Sequence, residues 1–251
     1  MFTAPLPSGE GLGRGSDCSP AAMLRPHFHP AFRATFPPKA KEAQEIRMPM
    51  TYLALGDSYT IGEGVPAEGR WPVQLAAALR ATGVPLADPA ILATTGWTTD
   101  ELSAAMDAAA HLPPWDLVSL LIGVNNQYRG RGVEEYRHEF RRLLDRAIAL
   151  AAGRAGRVLV LSIPDWGTTP FARDSGRDTA RIAAELDAYN AAAREETLRL
   201  GASWVDITPI SRRHATLLAD DGLHPSAAQY ALWTETAVPG ARAMLATPPA
   251  A

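Results

Sequence analysis

Short runs that are apolar throughout, separated by segments of helical periodicity, recur from residue 51 onward, and few folds absorb that pattern. Thr51–Gly56, Asp116–Ile122 and Arg157–Ile163 read as strands, the last carrying Val158, Leu159, Val160, Leu161 and Ile163. Ala90–Ala93 and Trp204–Ile207 are shorter and weaker strand signals. Between them, Trp71, Leu75, Ala78 and Leu79 repeat at helical spacing. So do Tyr136, Phe140, Leu143, Leu144, Ala147 and Ala151, and then Ile182, Leu186, Tyr189 and Ala193. Thr98 with Glu101, and Ser226 with Gln229, match the capping-box pattern and are expected to open helices, the second running toward Leu245.

A strand with no polar face must be covered on both sides, so these runs predict a parallel sheet between two helical layers. Right-handed crossovers then give a doubly wound α/β domain. The expected architecture is a flavodoxin-like three-layer α/β/α sandwich with five parallel strands in the order 2-1-3-4-5. Its strands all end on one rim, where loops bind ligands and carry chemistry.

The first 48 residues differ. They are rich in Pro and Gly, without hydrophobic periodicity and without the apolar core of a signal segment. The expectation is a flexible arm over 1–48 and one domain over 49–251, with Met48 or Met50 as an alternative natural start. His27 and His29 in the arm read as exposed histidines rather than metal ligands. Cytoplasmic localisation is the corresponding expectation.

Charge and cysteine content exclude several classes. A net charge of −3 and a pI near 6.1 argue against a nucleic-acid binder. One cysteine, Cys18, allows neither an intrachain disulfide nor a cysteine-based zinc site. No stretch approaches the ~18 consecutive apolar residues of a membrane span.

Four segments fall just after strands or in the last loop: Gly56-Asp57-Ser58-Tyr59, Thr95-Gly96-Trp97, Gly123-Val124-Asn125-Asn126 and Asp221-Gly222-Leu223-His224. Each alone has an ordinary explanation, since serine, glycine and asparagine form turns and helix caps. In order and spacing together they resemble the GDSL/SGNH hydrolase superfamily of lysophospholipase-like serine esterases, from about Thr51 to Leu245. The Gly-x-Ser-x-Gly elbow of ordinary α/β-hydrolases is absent.

The resemblance implies Ser58 as nucleophile, His224 as general base and Asp221 as the carboxylate that orients it. Asp220 is the rival one residue away. It also implies an oxyanion hole formed by the backbone N–H groups of Ser58 and Gly96 and the Asn125 amide, with no cofactor and no metal. Two departures stand out: Asn126 where the family often has Asp, and Gly-Asp-Ser-Tyr rather than Gly-Asp-Ser-Leu.

Tyr59, Trp97, Tyr128, Arg129, Trp166 and Phe171 lie in or beside the rim loops, either lining a substrate pocket or packing. Asp165 lies outside the family pattern, and Trp71, Trp115, Trp204 and Trp233 read as structural. The expected partner is a small ester or single-chain lipid substrate, with no nucleic acid and no stable membrane insertion. Carbohydrate O-deacetylase and thioesterase activities are alternatives within the superfamily. A flavodoxin-like phosphate or flavin binder, using the hydroxyl- and glycine-rich run 57–64, is the alternative from another class.

Overall fold

The computed structural model describes residues 48–109 and 113–246. The arm expected over 1–48 lies outside the described residues except for Met48, and His27, His29 and Cys18 lie outside them as well. Five strands, β1 (Tyr52–Gly56), β2 (Ala90–Ala93), β3 (Leu117–Leu121), β4 (Val158–Leu161) and β5 (Ser203–Val205), form one sheet in the order β2-β1-β3-β4-β5. Every pairing is parallel. The topology is the one the alternating pattern predicts.

The burial of each strand follows its place. β1, β3 and β4 are buried at every residue, because they lie inside the sheet with helices on both faces. β2 and β5 are edge strands and only partly buried, which is why their sequence signal is weaker. β5 is also shorter than the sequence predicts. It stops at Val205, and Ile207 becomes the residue before helix α8 (Thr208–Arg213). The Ser162 hydroxyl accepts the backbone N–H groups of Ile207 and Thr208, drawing the chain out of the sheet.

The other helices are α1 (Ser58–Ile61), α2 (Trp71–Ala81), α3 (Thr99–Ala108), α4 (Val124–Tyr128), α5 (Val133–Leu150), α6 (Pro170–Asp174), α7 (Thr179–Arg199) and α9 (Ala227–Ala246). α2 packs against α9, while α5 packs against both α3 and α7. On α2 the buried face is Trp71, Leu75, Ala76 and Leu79, so Ala76 takes the place expected for Ala78. Trp71 and Trp233 are fully buried between α2 and α9, whereas Trp115 and Trp204 are half-buried against the core.

The capping expectations divide. At α3 the Glu101 carboxylate accepts the Thr98 backbone N–H at 2.8 Å, as a capping box requires. At α9 only half the pattern forms: the Gln229 N–H reaches the Ser226 hydroxyl at 3.4 Å. The Gln229 side chain instead donates to the carbonyls of His214 (3.1 Å) and Leu217 (3.0 Å). The four shortest helices escape the sequence pattern because four to six residues cannot display a 3.6-residue period.

Candidate active site

The end of β1 is shaped by one glycine. A Cβ at Gly56 would lie 2.2 Å from the Thr60 hydroxyl oxygen and 2.4 Å from the Leu121 carbonyl oxygen. Only glycine lets β1 stay beside β3 while the chain turns at once into α1. Asp57 caps that helix, its Oδ1 accepting the Tyr59 N–H at 3.0 Å. Ser58 is thus the first helical residue, a position whose N–H has no acceptor within the helix.

After β2, the Trp97 N–H closes a turn on the Thr94 carbonyl at 3.3 Å. Gly96 is the third residue of that turn, with φ +87°, as a type II turn demands. A Cβ there would meet no atom within 4 Å. Backbone conformation rather than lack of room therefore selects glycine at 96.

After β3, Asn125 lies in α4 and donates through Nδ2 to the Trp97 carbonyl at 2.9 Å. An amide nitrogen carries two protons, so one remains for a ligand. The neighbouring Asn126 is fully buried. Its Oδ1 accepts the Thr99 N–H at 3.1 Å and its Nδ2 donates to the Thr99 hydroxyl at 2.6 Å. The departure at 126 is thus a link between α4 and the start of α3.

The fourth segment is a tight loop bridged by Leu218 and Pro225. Asp221 Oδ1 accepts the N–H groups of Leu223 and His224, both at 2.9 Å, and Oδ2 lies 2.6 Å from His224 Nδ1. Burial pushes the Asp221 carboxyl up, but hydrogen bonds from His224 and the two backbone N–H groups outweigh it and hold the group below the ordinary range. A carboxylate on Nδ1 leaves Nε2 as the outward atom of the ring. Asp220 is exposed and makes no bond to His224.

Ser58, Gly96, Asn125 and His224 all line one cavity of about 240 Å³, so the four segments meet at the rim. No hydrogen bond joins the Ser58 hydroxyl to His224 as they stand, although both side chains are buried. Tyr59 sits beneath His224, ring centroids 5.7 Å apart and edge to face. Tyr128, Trp166 and Phe171 form an aromatic wall, with Tyr128 and Phe171 partly exposed. The Arg177 guanidinium covers the Tyr128 ring at 4.0 Å from its centroid.

Trp97 is not among the lining residues. Its ring packs half-buried against the core, and its carbonyl is what faces Asn125. Asp165 fastens the loop that carries Trp166: Oδ2 accepts from Arg212 at 2.8 Å and Oδ1 from the Gly167 N–H at 2.9 Å. Gln127 holds the indole N–H of Trp166 at 2.8 Å. Gln127 carries no sequence signal, because it acts on a partner remote in the chain. Among the described residues no group of three or more His, Cys, Asp or Glu is placed to hold a metal ion. Nor, among those residues, is any helix long and apolar enough to cross a membrane.

Residues 54–232 match the family model of the GDSL-like lipase/acylhydrolases. The chain belongs to this family. Solved structures with the same fold include TesA, with 20% identity and a TM-score of 0.59 over 78% of this chain and 99% of that one. The psychrotrophic esterase EstA from Pseudoalteromonas sp. has 17% identity and a TM-score of 0.59, covering 79% and 100%. Axe2, an acetylxylan esterase from Geobacillus stearothermophilus, has 17% identity and a TM-score of 0.58, covering 80% and 96%. At these identities the likeness is one of fold. No curated protein sequence matches the chain. The 57–64 run opposes an anion, since it carries the Asp57 and Glu63 carboxylates, the latter accepting the Thr95 hydroxyl from the turn after β2.

Proposed function

We propose that the protein is a serine esterase that cleaves carboxylic esters through an acyl-enzyme. The observation that carries this reading is the convergence of Ser58, Gly96, Asn125 and His224 on one cavity, with Asp221 paired to His224 behind it. A serine hydroxyl attacks an ester only when a base takes its proton. His224 is the base, through Nε2, and it then protonates the leaving alcohol. This requires the ring to close on the Ser58 hydroxyl when substrate binds. Asp221, kept ionised, orients the ring and stabilises the imidazolium.

The tetrahedral intermediate carries a negative charge on the former carbonyl oxygen. The Ser58 and Gly96 N–H groups and the free Asn125 amide proton donate hydrogen bonds to that oxygen, each donor lowering the barrier by ~3 kcal/mol. Deacylation repeats the steps with water in place of the alcohol. The aromatic wall takes the apolar part of a small ester or a single acyl chain. Carbohydrate O-deacetylation is the second reading, favoured by the exposed Tyr128 and Phe171 rings at the mouth, which suit a sugar face.

Ser58→Ala is expected to reduce hydrolysis of 4-nitrophenyl acetate to background while leaving the melting temperature within a few degrees. Labelling by a fluorophosphonate should vanish with it. A Ser58→Ala enzyme that retained wild-type turnover would end the proposal. A panel of acyl lengths and acetylated sugars then separates the two substrate classes.

A further inference from the structure

Glycine is the least restrained residue in the chain, yet the proposed mechanism asks the Gly96 N–H to point steadily at an oxyanion. The turn that holds Gly96 is tied from outside at three successive residues. The Thr95 hydroxyl donates to the Glu63 carboxylate. The Trp97 carbonyl accepts from Asn125 at 2.9 Å. The Gly96 carbonyl itself accepts from Arg129 Nη2 at 2.7 Å.

Arg129 follows immediately on α4, the helix that carries Asn125. Its Nη1 lies 3.3 Å from Glu101, whose carboxylate also caps α3 at Thr98. The backbone N–H of Thr98, with lesser help from Arg129, holds the Glu101 carboxyl below its ordinary range, so the pair stays charged at neutral pH. One guanidinium therefore spans three pieces of the rim: the turn after β2, the start of α3 and the end of α4.

We propose that Arg129 is a positioning residue for ester hydrolysis: by holding the Gly96 carbonyl it fixes the 96–97 peptide plane, and the closed 94–97 turn carries that restraint to the adjoining 95–96 plane, so that the Gly96 N–H stays aimed into the cavity. This rests on the reading of Gly96 as an oxyanion donor. It adds a device for keeping two donors, Gly96 and Asn125, in fixed relation from a single element. Because Arg129 and Glu101 are both well exposed, their ion pair contributes little to stability. The effect of removing Arg129 should therefore fall on the reaction and not on the fold.

The test is Arg129→Ala with 4-nitrophenyl acetate. An interaction that matters only in the transition state lowers kcat and kcat/KM together. Both should fall by about tenfold to a hundredfold, less than the loss of a whole donor. The melting temperature should stay within a few degrees. Millimolar guanidinium chloride, below denaturing concentration, should restore part of the rate, with sodium chloride as control. If the alanine variant does not fold, Arg129→Lys should show the same kcat deficit at smaller size.

Wild-type kcat in either variant, a deficit confined to KM, or a loss that guanidinium leaves unchanged would each overturn the inference. Ser58→Ala is assayed alongside. Full activity there removes the esterase reading and this inference with it. An inactive Ser58→Ala beside an unaffected Arg129→Ala removes the inference alone.

Discussion

Asp57 is fully buried beside the proposed nucleophile, and one of its carboxylate oxygens has no hydrogen-bond partner. Burial pushes its carboxyl up to about 7, only partly offset by the N–H groups it accepts. An acid whose folded pKa lies above its unfolded value binds its proton more tightly when folded. It therefore favours folding at low pH, and that contribution is lost as pH rises from about 4 to about 7. Asp57→Asn removes this titration and keeps the acceptor for the Tyr59 N–H. Urea denaturation at pH 5 and pH 8 should show the wild type losing more stability between the two than the variant, and parallel profiles would refute the assignment. At this scale the four motif segments were legible because residue type and order survive in a linear string. The contacts of Arg129 and Asn126 were not, because each depends on a neighbour in another segment.

Among the elements, the long buried strands and helices announce themselves by periodicity, and the short ones that carry the site do not. α1 and α4 hold Ser58 and Asn125, yet their order comes from Gly56, the Asp57 cap and the Asn126–Thr99 link. The loop bearing Asp221 and His224 is a similar case. The Ser226–Gln229 spacing suggests a helix cap, but the glutamine amide spans back to two carbonyls in the preceding segment. It ties the start of α9 to the chain just before the loop, and it is 1% exposed. Gln229→Leu should remove one donor from each of the His214 and Leu217 carbonyls, which keep the Leu217 and Ser226 backbone N–H groups, at a cost of about 0.5–1.5 kcal/mol for each lost hydrogen bond. Urea denaturation should therefore report a clear loss of stability. Activity at low denaturant should fall as well, since Ser226 N–H to Leu217 and Ala219 N–H to His224 share the same short segment. An unchanged denaturation midpoint would show the glutamine to be dispensable.

Over the whole molecule, the strand order could be read in advance because apolar runs and crossover handedness leave few arrangements. What the linear pattern does not display is which helices close the structure. All the proposed site residues precede residue 225, so α9 looks dispensable from the chemistry alone. The packing says otherwise. α9 buries Tyr230, Trp233, Met244 and Leu245, and it covers Trp71, Leu75 and Leu79 of α2. It also reaches the site from below, since Trp233 supports Tyr59 at 6.2 Å and Tyr59 supports His224 at 5.7 Å. Each large apolar side chain is worth roughly 1.5–3 kcal/mol when buried, so losing this set rivals the ~5–15 kcal/mol net stability of a typical domain. A chain ending at Ser226 is therefore expected to show no cooperative thermal transition by circular dichroism and no esterase activity, although every proposed catalytic group is present. A cooperative transition in that truncated chain would mean that the sheet and its remaining helices form a core without α9.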